Sequence, residues 1–321
     1  MGRFKDFEPV GVIPATLLPF MDDFSIDEAS MRKHLRDVAA IDGISAITVN
    51  GHASEIHACS FDEQRAILDA TLDEIGDETP IINGVYADGS LEAARIARMS
   101  EEAGSSCLLI FPPHSIGRGG GQSRPEMALT HFRMIAEATD LPFIIFQYAG
   151  NSGYAYPLDT LVRIADEIPG FRAIKDASND AVIHERHIRE LQSLSRPVNV
   201  LSTHSAWLMA SLSLGCKGLL SGSGSVIADL QVALFRAIQA GDLALAQRIN
   251  ERIHPTARAF YAHPGCDMHN RMKEALVLLG RMPRAVVRPP LVKLGQAEID
   301  TIRQRLAEAG IERDGALAVA A

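Results

Sequence analysis

The chain has 321 residues and a mass of 34.7 kDa, which fits either one large α/β barrel or two average domains. Because 47% of the residues are apolar and 22% are charged, the chain can bury a sizeable core, and a wholly disordered chain is excluded. The net charge of -9 is spread along the sequence, which disfavours nucleic acids and anionic membranes as partners.

The four cysteines lie far apart and form no C-x-x-C pair, so the sequence indicates neither a zinc ribbon nor a disulfide framework. The first ten residues lack the apolar stretch of a signal peptide, and no run of about 20 apolar residues could span a bilayer. We therefore expect a cytoplasmic protein.

Taken in chain order, short apolar runs rich in β-branched residues alternate with amphipathic segments. There are eight such runs, at residues 10–16, 46–50, 80–85, 107–111, 142–148, 171–175, 198–202 and 218–221. Several of the segments between them open with a hydroxyl and a carboxylate three residues apart, as in the helix capping box, or with a first-turn proline. These starts are Ser25 with Glu28, Ser60 with Glu63, Ser123 with Glu126, Pro125 and Pro157.

Eight alternations of strand and helix predict an α/β fold with a parallel sheet that closes into a (β/α)8 TIM barrel. An open, doubly wound sheet is the alternative, but it would need a nucleotide-binding glycine turn after the first strand, which residues 15–19 do not offer. We assign residues 8–235 to the barrel.

A C-terminal helical extension is expected at residues 236–309. Helical patterns cover residues 230–240, 243–258, 266–279 and 297–309, and Gly310 is placed to end the last helix. Residues 310–321 are predicted to form a frayed tail.

The active site of such a barrel lies at the carboxyl ends of the strands, which singles out Lys175 at the end of the sixth run. Burial of an ammonium group there would lower its pKa and release a neutral amine that can attack a carbonyl carbon. The alternative is a lysine that extends to the rim or pairs with a carboxylate such as Asp176.

Four segments of the chain resemble the dihydrodipicolinate synthase and N-acetylneuraminate lyase superfamily, over about residues 8 to 305. They are residues 11–20 (GVIPATLLPF), 173–176 (AIKD), 215–221 (GCKGLLS) and 288–291 (RPPL). The resemblance implies a class I aldolase in which Lys175 forms a Schiff base with a 2-oxo acid such as pyruvate. It also implies no cofactor and a homo-oligomer, usually a dimer of dimers.

The sequence departs from this superfamily where the substrate carboxylate is held. Members usually have Gly-Thr-Thr-Gly-Glu after the second strand, and this chain has Gly51-His52-Ala53-Ser54-Glu55. The Ser54 hydroxyl and the backbone N–H groups of this turn remain as candidates for binding the carboxylate, as do Ser221 and Gly222 after the eighth strand. The spacing of His52, Glu55 and His57 is not that of a zinc-binding helix, and we expect no metal.

Phe146 occupies the place of the superfamily's proton-relaying tyrosine, and a phenyl ring cannot transfer a proton. Tyr148 lies two residues further on the same face of the strand, so it either replaces that acid-base group or is a rim tyrosine without a catalytic part. His114, after the fourth strand, is a second candidate acid or base, although a lone loop histidine is more often a bystander.

Asn151 stands where members that condense pyruvate with aspartate semialdehyde have an arginine, which disfavours dihydrodipicolinate synthase activity. We expect a lyase, either an aldolase or a dehydratase, whose substrate is a small 2-oxo acid such as a 2-oxo-3-deoxy sugar acid. The alternative is a non-catalytic 2-oxo acid binding or regulatory protein that retains the barrel.

Overall fold

The computed structural model describes residue 4 and residues 6–313. Its eight strands are all parallel and adjacent in the order β1-β8-β7-β6-β5-β4-β3-β2. Parallel bridges from Val12 to Ile44 and from Ala15 to Thr48 join the first strand to the second and close the barrel. The predicted TIM barrel is therefore confirmed. The strands are β1 (Gly11–Pro14), β2 (Ile47–Val49), β3 (Ile81–Val85), β4 (Cys107–Ile110), β5 (Phe143–Gln147), β6 (Phe171–Asp176), β7 (Asn199–Ser202) and β8 (Gly218–Ser221).

Twelve helices of four residues or more lie in this part of the chain. They are α1 (Glu28–Ala39), α2 (Phe61–Ile75), α3 (Ser90–Ala103), α4 (His114–Gly117), α5 (Pro125–Ala136), α6 (Leu158–Glu167), α7 (Ala181–Leu191), α8 (Leu208–Ser213), α9 (Gly224–Gln239), α10 (Leu243–Phe260), α11 (Met268–Leu278) and α12 (Gln296–Glu308). Within residue 4 and residues 6–313, no helix is long and apolar enough to cross a membrane.

The predicted helix starts have mixed outcomes. Ser60 and Glu63 form a complete capping box at α2, and Pro125 begins α5 as predicted. The prediction for Ser25 is wrong, because the nearer Asp27 caps α1 by accepting the N–H of Ser30 while Ser25 donates to Asp23.

The capping box predicted at Ser123 is also wrong. Pro125 is the first helical residue of α5, which makes Arg124 the N-cap and leaves Ser123 as the last residue of a short 3-10 turn. Pro157 is the N-cap of α6.

The extension packs on the barrel through α10 and α11, which both contact α9, and α12 packs on α10 and α11. Helix α9 itself runs across residue 235, where the sequence analysis divided the chain. Gly310 follows α12 with a positive φ of 64°, in the conformation expected of a glycine that ends a helix. The predicted frayed tail lies largely outside the described residues, which end at residue 313.

A buried ion pair joins the loop after β2 to the extension. The Lys273 ammonium group on α11 donates to the Glu55 carboxylate, and both side chains are fully buried. Lys273 also donates to the Val286 carbonyl oxygen at 2.7 Å, and the backbone N–H of Arg288 donates to Glu55 at 3.0 Å. Because each charge has several partners, this pair fixes the loop that carries His52.

We predict that Lys273→Met lowers the free energy of unfolding by about 3–5 kcal/mol, because it leaves the Glu55 carboxylate buried without its counter-ion. Denaturant unfolding followed by circular dichroism measures this loss. Lys33→Met is the matched control, because Lys33 pairs with Asp37 on the exposed side of α1 and an exposed pair contributes about 0–1 kcal/mol. Equal losses in the two variants would contradict a structural role for the buried pair.

Candidate active site

Lys175 lies near the carboxyl end of β6, and its side chain is directed into the mouth of the barrel, where it is only 4% exposed. It lines a cavity of about 400 Å³ together with residues from the ends of five strands and from the extension. The other lining residues are His52, Ala53, Phe146, Tyr148, Ala177, Asn179, Thr203, His204, Ser205, Ala206, Gly222, Tyr261, Met268 and His269.

The Lys175 amine is buried without a counter-ion. Its nitrogen lies 4.3 Å from the centroid of the Phe146 ring, and no carboxylate of the described residues forms an ion pair with it. Burial lowers the pKa of Lys175 to about 7. A substantial fraction of the amine is therefore neutral at neutral pH, and a neutral amine is the nucleophilic form.

Tyr148 shares the cavity with Lys175. Phe146 is the direct neighbour of Lys175 across β5 and β6, and the Tyr148 ring stacks on Phe146 at 4.3 Å between centroids. Burial raises the pKa of the Tyr148 hydroxyl, so the group is a proton donor at neutral pH. The stacking of Tyr148 on Phe146 agrees with the prediction that the two side chains lie on the same face of β5.

The loop after β2 brings two of its four candidate residues to the cavity. His52 and Ala53 line it, whereas the Ser54 hydroxyl donates to the Thr16 carbonyl oxygen at 2.8 Å and lies outside the lining. Gly51 also lies outside the cavity lining. Its carbonyl oxygen accepts the N–H of Ser54, and this hydrogen bond closes a 3-10 turn over residues 52–54. Ser54 thus fixes the turn, and the first N–H groups of the turn are the ones left for a ligand.

The remaining predicted site residues lie at different depths. Gly222 lines the cavity, and the fully buried Ser221 hydroxyl lies below it, 2.9 Å from the Ser223 hydroxyl. Asn151 is exposed on a short turn. His114 lies outside the cavity lining, its ring perpendicular to that of Tyr148 at 6.0 Å between centroids, and burial lowers its pKa.

Three lining residues come from the C-terminal part of the chain and were missed by the sequence analysis. Tyr261 follows α10, and Met268 and His269 begin α11. The ring of His269 meets that of His52 edge to face at 4.8 Å, and burial lowers the pKa of both, to about 3 for His52. No local pattern marks these residues, because their position depends on how the extension packs over the barrel.

Asp176, the residue after Lys175, lies at the centre of a buried cluster of histidines. Its Oδ2 atom is 2.9 Å from His184 Nδ1 and 2.8 Å from His187 Nδ1, and its Oδ1 atom is 3.6 Å from His204 Nε2. Burial opposes the charge, but the hydrogen bonds from these histidines hold the pKa of Asp176 well below its usual range. The carboxylate is therefore ionised and acts only as an acceptor.

Asp176, His184 and His204 have side-chain atoms close enough together to suggest a metal site. The Asp176 oxygens, however, already accept N–H groups from two histidines and from the backbone of Ser178. This arrangement is that of a hydrogen-bonded network. In the loop after β2, Glu55 is engaged with Lys273, so the described geometry there offers no metal site that includes Glu55.

Comparison with known proteins identifies the family of this chain. The sequence profile of the Dihydrodipicolinate synthetase family matches residues 8–309. A 4-hydroxy-tetrahydrodipicolinate synthase from Methanopyrus kandleri is 26% identical over 96% of this chain and 99% of its own length. An enzyme of the same name from Haloarcula marismortui is 30% identical over 92% of each chain.

Solved structures share the fold. YagE, a prophage protein of the dihydrodipicolinic acid synthase family from E. coli K12 that was crystallised with pyruvate, superposes with a TM-score of 0.87 at 20% identity, over 94% of this chain and 99% of its own. Dihydrodipicolinate synthase from Thermotoga maritima gives 0.85 at 23% identity, with the same coverage. With a barrel of this topology and a profile match over nearly its whole length, the chain belongs to the dihydrodipicolinate synthetase family and is an aldolase-type lyase.

Proposed function

We propose that this lyase forms an imine between Lys175 and the 2-carbonyl carbon of a small 2-oxo acid. The observation that supports it is the buried amine without a counter-ion at the wall of a cavity large enough for such a substrate. The relative crystallised with pyruvate supports the same substrate class.

In the proposed reaction the neutral amine attacks the carbonyl carbon and water leaves. The protonated imine then accepts the electron pair of a neighbouring bond. If that pair comes from a carbon–carbon bond, the enzyme is an aldolase. If an enamine forms first and expels a hydroxyl group from the next carbon, the enzyme is a dehydratase.

The proposed acid-base group for imine formation is Tyr148, because its hydroxyl is protonated and lies in the same cavity as Lys175. His114 lies outside the cavity lining and contacts the Tyr148 ring, so it is proposed to act only through Tyr148. The substrate carboxylate is proposed to lie at the turn formed by Gly51, His52, Ala53 and Ser54, with Gly222 opposite; Ser221 supports Gly222 from below, and Asn151 contacts the distal end of a longer substrate.

Two reactions are proposed. A 2-oxo-3-deoxy sugar acid would itself carry the carbonyl that forms the imine, whereas aspartate semialdehyde would be the acceptor for the enamine formed from pyruvate. A 2-oxo-3-deoxy sugar acid is favoured by the polar lining, in which His52, His204 and Ser205 could meet hydroxyl groups. Aspartate semialdehyde, condensed with pyruvate, is favoured by the names of the two relatives described above. Against the second substrate, residue 151 is an exposed asparagine at the position where the family resemblance implies an arginine for condensation with aspartate semialdehyde.

A homo-oligomer made as a dimer of dimers remains a prediction from the family, as does a cytoplasmic location. Light scattering during size-exclusion chromatography gives the mass of the assembly in solution. A mass near four times 34.7 kDa is expected, and the mass of a single chain would contradict it.

Trapping by borohydride tests the imine. Incubation with pyruvate and borohydride is expected to add one reduced pyruvate unit to the wild-type chain and none to Lys175→Ala, as measured by intact mass. Lys217→Ala is the control, because Lys217 lies in another family motif but is exposed and outside the cavity, and this variant should be trapped like the wild type.

An adduct on Lys175→Ala, or none on the wild type with any 2-oxo acid, would reject the proposed imine. An adduct without turnover of any substrate would instead identify the non-catalytic binding protein that the sequence analysis kept as its alternative.

Steady-state assays decide between reaction of a sugar acid and condensation of pyruvate with aspartate semialdehyde. We expect cleavage or dehydration of 2-oxo-3-deoxy sugar acids with a kcat/KM at least tenfold above that for condensation of pyruvate with aspartate semialdehyde. If Asn151→Arg raises only the condensation rate, residue 151 contacts the acceptor's carboxylate. A wild-type enzyme that prefers aspartate semialdehyde would overturn the sugar-acid assignment.

Tyr148→Phe tests the acid-base assignment with the loss of a single oxygen atom. If the hydroxyl transfers protons during imine formation, the rate of borohydride trapping should fall by about 10²–10⁴-fold. Phe146→Leu is the control for ring packing, because it removes the stacked ring without removing a hydroxyl. An unchanged trapping rate in Tyr148→Phe would make Tyr148 a rim residue without a catalytic part.

A further inference from the structure

We propose that His204, supported by Asp176, is the base that removes a proton from carbon 3 of the imine and the acid that returns it. The inference rests on the proposed imine at Lys175 and assigns the step that follows it. It adds His204 and Asp176 to Tyr148 and His114, the acid-base residues that the sequence predicts.

The geometry places His204 between the cavity and a buried carboxylate. Lys175 and Asp176 are consecutive at the end of β6, so their side chains leave the strand on opposite faces. His204 follows the neighbouring strand β7, lines the cavity of Lys175 and is 4% exposed. Its Nε2 atom faces Asp176 Oδ1 at 3.6 Å, which leaves Nδ1 as the nitrogen for a bound substrate.

That separation is slightly longer than a hydrogen bond, and Nε2 of His204 is buried without another partner. Such contacts often shorten when the substrate binds. The ring is held in place by Trp207, which stacks on it at 4.2 Å, and by His184, whose ring meets it edge to face at 4.8 Å.

The carboxylate distinguishes His204 from the other histidines of the cavity. A base that accepts a proton becomes an imidazolium ion, which is costly in a buried site unless an anion lies beside it. Burial opposes the protonation of His52 and His269, and the nearby charge of Lys175 adds to this opposition. Burial lowers the pKa of His204 as well, but there the Asp176 carboxylate counteracts the effect of burial. Only His204, among the histidines lining this cavity in the described part of the chain, lies next to an ionised carboxylate.

Asp176 is a positioning residue in this arrangement. Its other oxygen accepts from His184 and His187 on α7, and the backbone N–H of Ser178 donates to Oδ1 at 2.8 Å. His184 in turn lies 2.6 Å from the Ser211 hydroxyl on α8 through its second ring nitrogen. The charged or titratable groups facing His204 are thus Asp176, His184 and His187, with Lys175 across the cavity.

The step conserves atoms and electrons. His204 Nδ1 takes the proton from carbon 3, and the C–H electron pair becomes the π bond between C2 and C3. The π pair of the C2–N bond moves to the imine nitrogen, which is Nζ of Lys175. The product is a neutral enamine beside an imidazolium ion paired with Asp176. Return of a proton from His204 to carbon 3 regenerates the imine, and hydrolysis releases the 2-oxo acid.

Exchange of the pyruvate methyl protons for deuterium in D2O measures this step directly by proton NMR. The wild type should exchange them, whereas His204→Gln should exchange them about 10²–10⁴-fold more slowly. Glutamine at position 204 can still donate a hydrogen bond to Asp176, which favours retention of the fold. His131→Gln is the matched control, because His131 is also buried with an unpartnered Nε2 but lines a different cavity, and its exchange rate should equal that of the wild type.

Borohydride trapping of the same samples separates this proposal from the proposed imine. His204→Gln should form the reduced adduct at the wild-type rate, because imine formation is assigned to Lys175 and Tyr148. Asp176→Asn should show the same combination of normal trapping and slow exchange, which a merely structural defect would not produce.

A His204→Gln variant that exchanges at the wild-type rate would overturn the proposal, as would a wild type that is trapped without any exchange. Failure of wild-type trapping would instead reject the imine itself. If His204→Gln does not fold by circular dichroism, His204→Asn is measured against the same control.

Discussion

The burial of the Lys175 amine without a counter-ion is the constraint on which the site depends. Removing an ammonium group from water is costly, and the cavity supplies a phenyl ring and neutral imidazoles where a structural lysine would have a carboxylate. The protein reduces this cost by lowering the pKa of the amine to about 7. Desolvation thus makes the amine neutral and nucleophilic, and the barrel wall shields the amine from water.

Side chains alternate between the two faces of β6, so two consecutive residues, Lys175 and Asp176, lie in opposite electrostatic environments. Lys175 faces the cavity, where burial favours its neutral form, and Asp176 faces a cluster of histidines that stabilises its charge. The histidine cluster around Asp176 includes His204, which also lines the cavity of Lys175. The extension completes the site from the other side. The Glu55–Lys273 pair anchors the loop that carries His52, and the first turn of α11 carries His269.

The sequence was sufficient to predict the barrel, since eight apolar runs are a local signal and each became a strand. Lys175 could be selected from its place at a strand end and from its motif. The capping boxes at Ser25 and Ser123 failed because a neighbouring aspartate and a proline set the helix starts instead. Ser54 was expected to face the substrate, but whether its hydroxyl turns to the cavity or to the Thr16 carbonyl depends on a tertiary contact. Tyr261, Met268 and His269 could not be found for the same reason, because their role arises from the packing of the extension.

Titration of the Lys175 amine tests the central claim most directly. Its pKa can be followed by NMR in protein labelled at the lysine side chains, with Lys175→Ala used to assign the resonance. A titration midpoint near 7 in the free enzyme is predicted, with the charged form below that pH and the nucleophilic neutral form above it. A midpoint close to the ordinary lysine value of 10.5 would contradict the account, because the amine would then be charged at neutral pH and burial could not be the source of its reactivity.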